Sequence, residues 1–185
     1  MRTIGARSYH HGDLRRALLD EAVAAIAESG PSGWSLRELA RRAGVSHAAP
    51  AHHFGDRAGL LTAVAAEGFD LLAEALAGAG GDLLDMGVAY VRFADTHRAH
   101  FEVMFRPRLY RADDPKVRAA RARTHDVLHG GVRRAVDGES DTAARAAWSI
   151  VHGFAELWLN GALPAAPGDD PGEAARPVIR LLFDR

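Results

Sequence analysis

Cysteine is absent from this 185-residue chain, so no disulfide framework and no thiolate chemistry are open to it. Lysine is almost absent too, Lys116 being the only one. No apolar run approaches the roughly 20 residues of a membrane span. The basic start, MRTIGARSYHHGD, has no apolar export segment behind it. These absences lead us to expect a cytoplasmic protein with no membrane partner. β-Branched residues are sparse beside alanine and leucine, which disfavours sheet and favours an all-helical chain. There is no H-E-x-x-H, no phosphate-cradling glycine loop and no nucleophile–base pair, so neither an enzyme nor a cofactor is expected.

What is present is ordinary in bulk and uneven in detail. The chain is 48% hydrophobic and 25% charged with net charge −1, which is typical of a globular protein. Residues 1–57 carry eight Arg and five His against six acids, and the remainder is slightly acidic. Arginine's planar fork binds two phosphate oxygens at once. The arginine bias also fits codon usage in a GC-rich genome.

Helical periodicity divides the chain into about nine helices with no convincing strand. Leu14, Leu18, Ala22 and Ile26 space a first helix over 13–28, stopped by Ser29-Gly30-Pro31. Ser35 and Glu38 form an S-x-x-E capping box that opens a second helix. Gly44 supplies a left-handed turn. Ser46 is then expected to cap a short third helix ending at Phe54-Gly55, with Pro50 at its fourth position. Asp56 caps a fourth helix reaching about Ala77. Later helices are expected from Asp82, around 98–106, from Asp114-Pro115 to about Val136, over 141–161 and from Glu173 to Phe183.

Two short helices joined by a glycine turn are the signature of a helix-turn-helix, whose second helix enters the DNA major groove. On a short reader helix the early residues face base edges, so His47, Ala48, Ala51 and His52 are the candidates there, while Ser46 with its cap N–H groups is expected to face a phosphate and His52 or His53 to add a backbone contact. Arg37, Arg41, Arg42 and Arg57 are candidates for phosphate contact, with Arg2 and Arg7 beyond them. Tyr9, His10 and His11 either join this surface or staple the start of the first helix.

With those elements in place, the chain resembles the TetR family of transcriptional repressors. The residues carrying the likeness are A-G-V-S at 43–46, His53-Phe54 and D-R-x-x-L-L at 56–61. Tyr9 to Arg15, V-S-H-A-A-P at 45–50 and Trp148-x-x-x-His152-Gly153 resemble a subgroup with a WHG-type C-terminal domain. The resemblance implies a helix-turn-helix domain over 1–57 and a helical ligand-binding and dimerisation domain over 58–185. It implies a homodimer on a palindromic double-stranded operator, released by a small apolar or aromatic effector. One departure is Ala51, where the family usually has an aromatic that touches a phosphate. The competing expectation is a helical ligand-binding protein of the same fold that has lost operator binding.

For the effector, the resemblance points to the aromatic-rich stretch 69–158. The expected pocket residues are Phe69, Tyr90, Phe93, Phe101, Met104, Phe105 and Trp148, with His97, His125, His129 and His152 as polar groups. His125 and His129 have the i, i+4 spacing of metal ligands, but without a third donor no metal is expected. Residues 143–161 are apolar almost all round and must be buried on most sides. Trp148, Val151, Phe154, Ala155 and Trp158, with Ile179 and Leu182 of the last helix, are the expected dimer face.

Overall fold

A computed structural model describes residues 11–135, 140–166 and 168–181. Among them are nine α-helices and no strand. The order is α1 (His11–Ser29), α2 (Leu36–Arg42), α3 (Ala49–Phe54), α4 (Arg57–Gly78), α5 (Leu83–Thr96), α6 (Arg98–Met104), a 3-10 turn (Pro107–Leu109), α7 (Pro115–Ala135), α8 (Ser140–Leu159) and α9 (Pro171–Arg180). No helix of the described residues is long and apolar enough to cross a membrane. Arg2, Arg7, Tyr9, His10, Leu182 and the side chain of His11 lie outside the described residues.

Helix starts follow local chemistry. Asp56, Asp82 and Asp170 sit in extended backbone before α4, α5 and α9. Each side chain accepts an N–H of the first turn, from Gly59 at 2.8 Å, Leu84 at 2.7 Å and Glu173 at 2.8 Å. A carboxylate there satisfies an orphan donor and complements the positive helix end. The last helix starts two residues earlier than its apolar pattern implies, because Asp170 caps and Pro171 suits the first helical position.

The first three helices, α1 to α3, pack together, and α4 carries them onto the larger helical body. Leu18, Ala22 and Ile26 of α1 meet Leu39 of α2, Phe54 of α3 and Leu60 of α4 in one buried cluster. That cluster continues through Leu72, Met86 and Phe101 to Ile179, so the core runs across the expected boundary at 57/58 without a break. In the larger body, α4 lies against α6 and α7, while α5 is flanked by α8 and α9.

A polar staple fastens α1 to this body. Arg16 of α1 bonds Glu67 of α4, and buried His100 of α6 lies 3.3 Å from the same carboxylate. Because the carboxylate can only accept, His100 donates through Nε2. The His100 bond, with help from Arg16 and against partial burial, holds the Glu67 carboxyl down at about 2. A depressed carboxyl contributes stability above its ordinary range and loses it as pH falls through the native value. Glu67→Gln is therefore expected to lower stability at neutral pH by about 1 kcal/mol. The gap between the two proteins should close between about pH 4.5 and about pH 2 in denaturant titrations.

Candidate nucleic-acid interface and ligand cavity

The reader is built from α2, a glycine turn and α3. Ser35 caps α2, its Oγ accepting the Glu38 N–H at 3.2 Å. The Glu38 side chain does not complete the expected box. It takes Arg41 through bonds of 2.9 and 2.6 Å and Arg42 through one of 3.2 Å. Those guanidiniums, Arg41 foremost, hold its carboxyl at about 2. Arg42 also reaches Glu28 of α1 at 2.7 Å, so it is a strut between helices. Arg41 stays largely exposed. Arg37 is exposed and has no ion pair among the described residues. After α2 the chain turns at Gly44, φ +66°, and the Val45 N–H closes the helix end on the Ala40 carbonyl at 3.0 Å. This is the left-handed stop that glycine adopts at least cost.

The third helix differs from expectation. It begins at Ala49, not after Ser46, and no side chain caps it. Ser46 contributes its carbonyl, which accepts the Ala49 N–H at 3.0 Å in a tight turn through His47 and Ala48. Pro50 consequently falls in the first helical turn, where its missing N–H costs no helical bond. Pro50 and Phe54 face the core, and the Arg15 guanidinium lies 4.9 Å over the Phe54 ring. Ser46, His47, Ala48, Ala51 and His52 are exposed, and His53 is half-buried. Positions 48, 51 and 52 share one helical face, clear of protein.

Arg57 is a correction. Its guanidinium stacks 4.5 Å over buried Trp34 and donates to the Pro31 carbonyl. It fastens the loop between α1 and α2 to the start of α4 and is not extended toward a phosphate. Its neighbour Asp56 pairs with Arg111 at 2.8 Å.

The second site is a cavity of about 810 Å³ in the larger body, within the usual range for small-molecule sites. Phe69, Leu72 and Leu76 of α4 and Met86 and Tyr90 of α5 line it. Phe105, Trp148, Val151 and Ile179 complete the apolar wall. The rim is polar: Arg118, Arg121, His125 and His129 of α7 face Asp141 and Arg145 of α8. The His125 and His129 rings stack 3.8 Å apart. No group of three His, Cys, Asp or Glu among the described residues is arranged to hold a metal ion.

Of the residues expected at the pocket, Phe69, Tyr90, Phe105, His125, His129 and Trp148 line this cavity. Phe93, His97, Phe101, Met104 and His152 do not. Phe101 and Met104 are fully buried core. The Phe93 ring stacks on His97 at 4.9 Å beside the α5–α6 elbow. His152 sits behind the wall, with its Nδ1 2.9 Å from the Tyr90 hydroxyl. Trp148 Nε1–H donates to that hydroxyl at 3.2 Å. Burial pushes the Tyr90 phenol up and the His152 imidazole down, so both are neutral and Tyr90 donates onward to Nδ1. The chain from Trp148 through Tyr90 to His152 fixes the wall.

The expected dimer residues also divide. Val151, Ala155 and Ile179 are interior to the protomer, at 5%, 1% and 1% exposure, and have no surface to offer a partner. The chain itself covers that side of α8, while Trp148 and Leu157 on the other side are open, so the helix is not buried on most sides as expected. Phe154 and Trp158 are partly exposed and stacked, and Trp148, Leu157, Val178 and Leu181 are the large apolar residues left open.

The arginines at the rim were not anticipated. Their signal was available: 118, 121, 125 and 129 follow helical spacing along one polar face of α7. Nothing local said that this face bounds a cavity.

A helix-turn-helix set on a larger helical body with its own cavity is the architecture of a DNA-binding regulator. The chain belongs to the TetR family. The model of bacterial regulatory proteins of the tetR family matches residues 18–64, and that of the tetracyclin repressor-like C-terminal domain matches residues 83–182. A protein of unknown function from Rhodococcus sp. RHA1 superposes with a TM-score of 0.77 at 36% identity, covering 94% of this chain and 97% of the other. LfrR of Mycobacterium smegmatis, a TetR-like transcriptional regulator solved in complex with proflavine, shares the fold. Its TM-score is 0.62 at 22% identity, with 92% of this chain and 94% of LfrR covered. The HTH-type transcriptional regulator BetI of Burkholderia thailandensis is 44% identical over 52 residues, 28% of this chain and 27% of BetI. That match spans about a quarter of the relative's length.

Proposed function

We propose that this protein is a transcriptional repressor that binds a palindromic operator as a homodimer and releases it when a small molecule with an apolar or aromatic body fills the cavity. One observation carries the reading: α4 serves both sites. Its first turn is fastened through Arg57 to the loop that leads into the reader, and Phe69, Leu72 and Leu76 line the cavity further along. At 1.5 Å per residue the two ends are about 20 Å apart on one rigid element. A ligand that shifts α4 shifts the reader. The exposed face of His47, Ala48, Ala51 and His52 supplies base contact, while Arg37 and Arg41 supply phosphate contact. The proflavine complex of LfrR supports a ligand in this fold, and BetI supports a regulatory role for the reader.

The test is selection from a random duplex library with purified protein, followed by titration of the enriched sequence at two salt concentrations. We expect an inverted repeat, half-sites about one helical turn apart and a steep salt slope. No enrichment would favour the ligand-binding protein without an operator.

Pairing of two copies through the open apolar residues of α8 and α9 completes the reading. Leu157→Glu, at a site 48% exposed in the protomer, should leave the fold intact. It should shift the chain to monomer in sedimentation runs and weaken operator binding by roughly tenfold or more, since half-sites bound separately lose their avidity.

A further inference from the structure

The cavity's rim carries more positive charge than its surroundings neutralise. Arg118, Arg121 and Arg145 line it, and none has an ion pair among the described residues. Other guanidiniums of the chain do find carboxylates, as Arg16, Arg41, Arg42, Arg92, Arg111, Arg123 and Arg176 show, while Arg37 and Arg57, like the three at the rim, have no ion pair among the described residues. The two acids on the rim do not serve the three arginines. Asp126 lies 3.7 Å from His125, and Asp141 lies 3.6 Å from His129. Both acids are largely exposed, with side chains at 82% and 80%.

Arg118 and Arg121 are three residues apart on one face of α7, which places their side chains as neighbours. Arg121 is placed where wall meets rim, its guanidinium 5.2 Å over the Phe69 ring. Below the rim the wall is almost wholly apolar. Its one polar chain, Trp148–Tyr90–His152, bonds to itself. A neutral apolar ligand would leave the arginines unused, and a cationic one would meet three like charges. A carboxylate matches the guanidinium fork through two parallel bonds.

We propose that the cavity takes an amphipathic carboxylate, with its apolar body against Leu72, Met86 and Trp148 and its acid group held by Arg118 and Arg121. This assignment rests on the ligand-responsive reading above and adds the chemical class of the ligand.

The experiment uses the full chain at neutral pH and three probes of equal length: decanoate, 1-decanol and decylammonium. Each is titrated below its aggregation threshold, with tryptophan emission as the signal and Trp148→Phe as the control that assigns it. Decanoate should bind about tenfold or more tighter than 1-decanol, as a charge-assisted pair of bonds provides. Decylammonium should bind most weakly. Added salt should narrow the decanoate advantage and leave 1-decanol unchanged. The double variant Arg118→Gln/Arg121→Gln should bind decanoate no better than 1-decanol, its retained 1-decanol binding showing that it is folded. Equal affinity for decanoate and 1-decanol, tighter decylammonium binding, or an unaltered double variant would overturn the carboxylate assignment and leave the ligand reading standing. If none of the three binds, both fall.

Discussion

Gly59→Ala is expected to cost about 3 kcal/mol of stability, the upper part of the range for overpacking. A Cβ at Gly59 would lie 1.9 Å from the Phe54 carbonyl oxygen and 2.9 Å from an Arg111 guanidinium nitrogen. The guanidinium can swing away. The carbonyl belongs to the backbone at the end of α3 and cannot move without tilting the reader or breaking the Asp56 cap on the Gly59 N–H. Thermal and denaturant unfolding would show the loss. Operator affinity should fall further than the folded fraction alone requires, because the surviving native molecules carry a displaced α3. A Gly59→Ala protein with unaltered melting would contradict the packing of α3 on α4.

A double substitution on the reader face, Ala48→Glu with Ala51→Glu, is expected to abolish sequence-selective DNA binding, by a hundredfold or more, about 2.7 kcal/mol. Both residues are exposed and on one face of α3, so folding stability should stay within about 0.5 kcal/mol of the parent. Two carboxylates set against base edges and phosphates meet like charge at every approach. Mobility-shift titration against the selected operator checks the first claim and calorimetry the second. Unchanged DNA affinity would remove α3 from the interface.

The DNA-reading end was largely legible because its signals are local. Ser35 and Asp56 announce helix starts through their own side chains, and Gly44 announces a turn through its own φ. What failed there needed knowledge of partners. Ser46 looks like a cap, but the backbone makes one more turn before the helix begins. Glu38 looks like the reciprocal half of a capping box, but Arg41 and Arg42 outcompete the Ser35 N–H. Arg57 looks like a phosphate ligand until Trp34, far back in sequence, is found beneath it.

The cavity was legible in composition and not in arrangement. Aromatic residues over 69–158 marked the region, yet Phe101 and Phe105, one helical turn apart, part ways: one is core and the other lines the cavity. Val151, Ala155 and Ile179 carry no mark separating a helix face turned to its own chain from one turned to a partner. That distinction is made by α5 lying across both α8 and α9, a tertiary fact with no local signature.

The anchoring of α3 bears on how such a protein diverges. The helix has six residues, with a proline in its first turn, too few backbone bonds to persist by itself. Its conformation is imposed by Pro50 and Phe54 on the buried side. His47, Ala48, Ala51 and His52 contribute almost nothing to holding it in place. Descendants of this chain can therefore exchange those four positions with little penalty in folding, and so acquire new operators while the rest of the molecule stays the same.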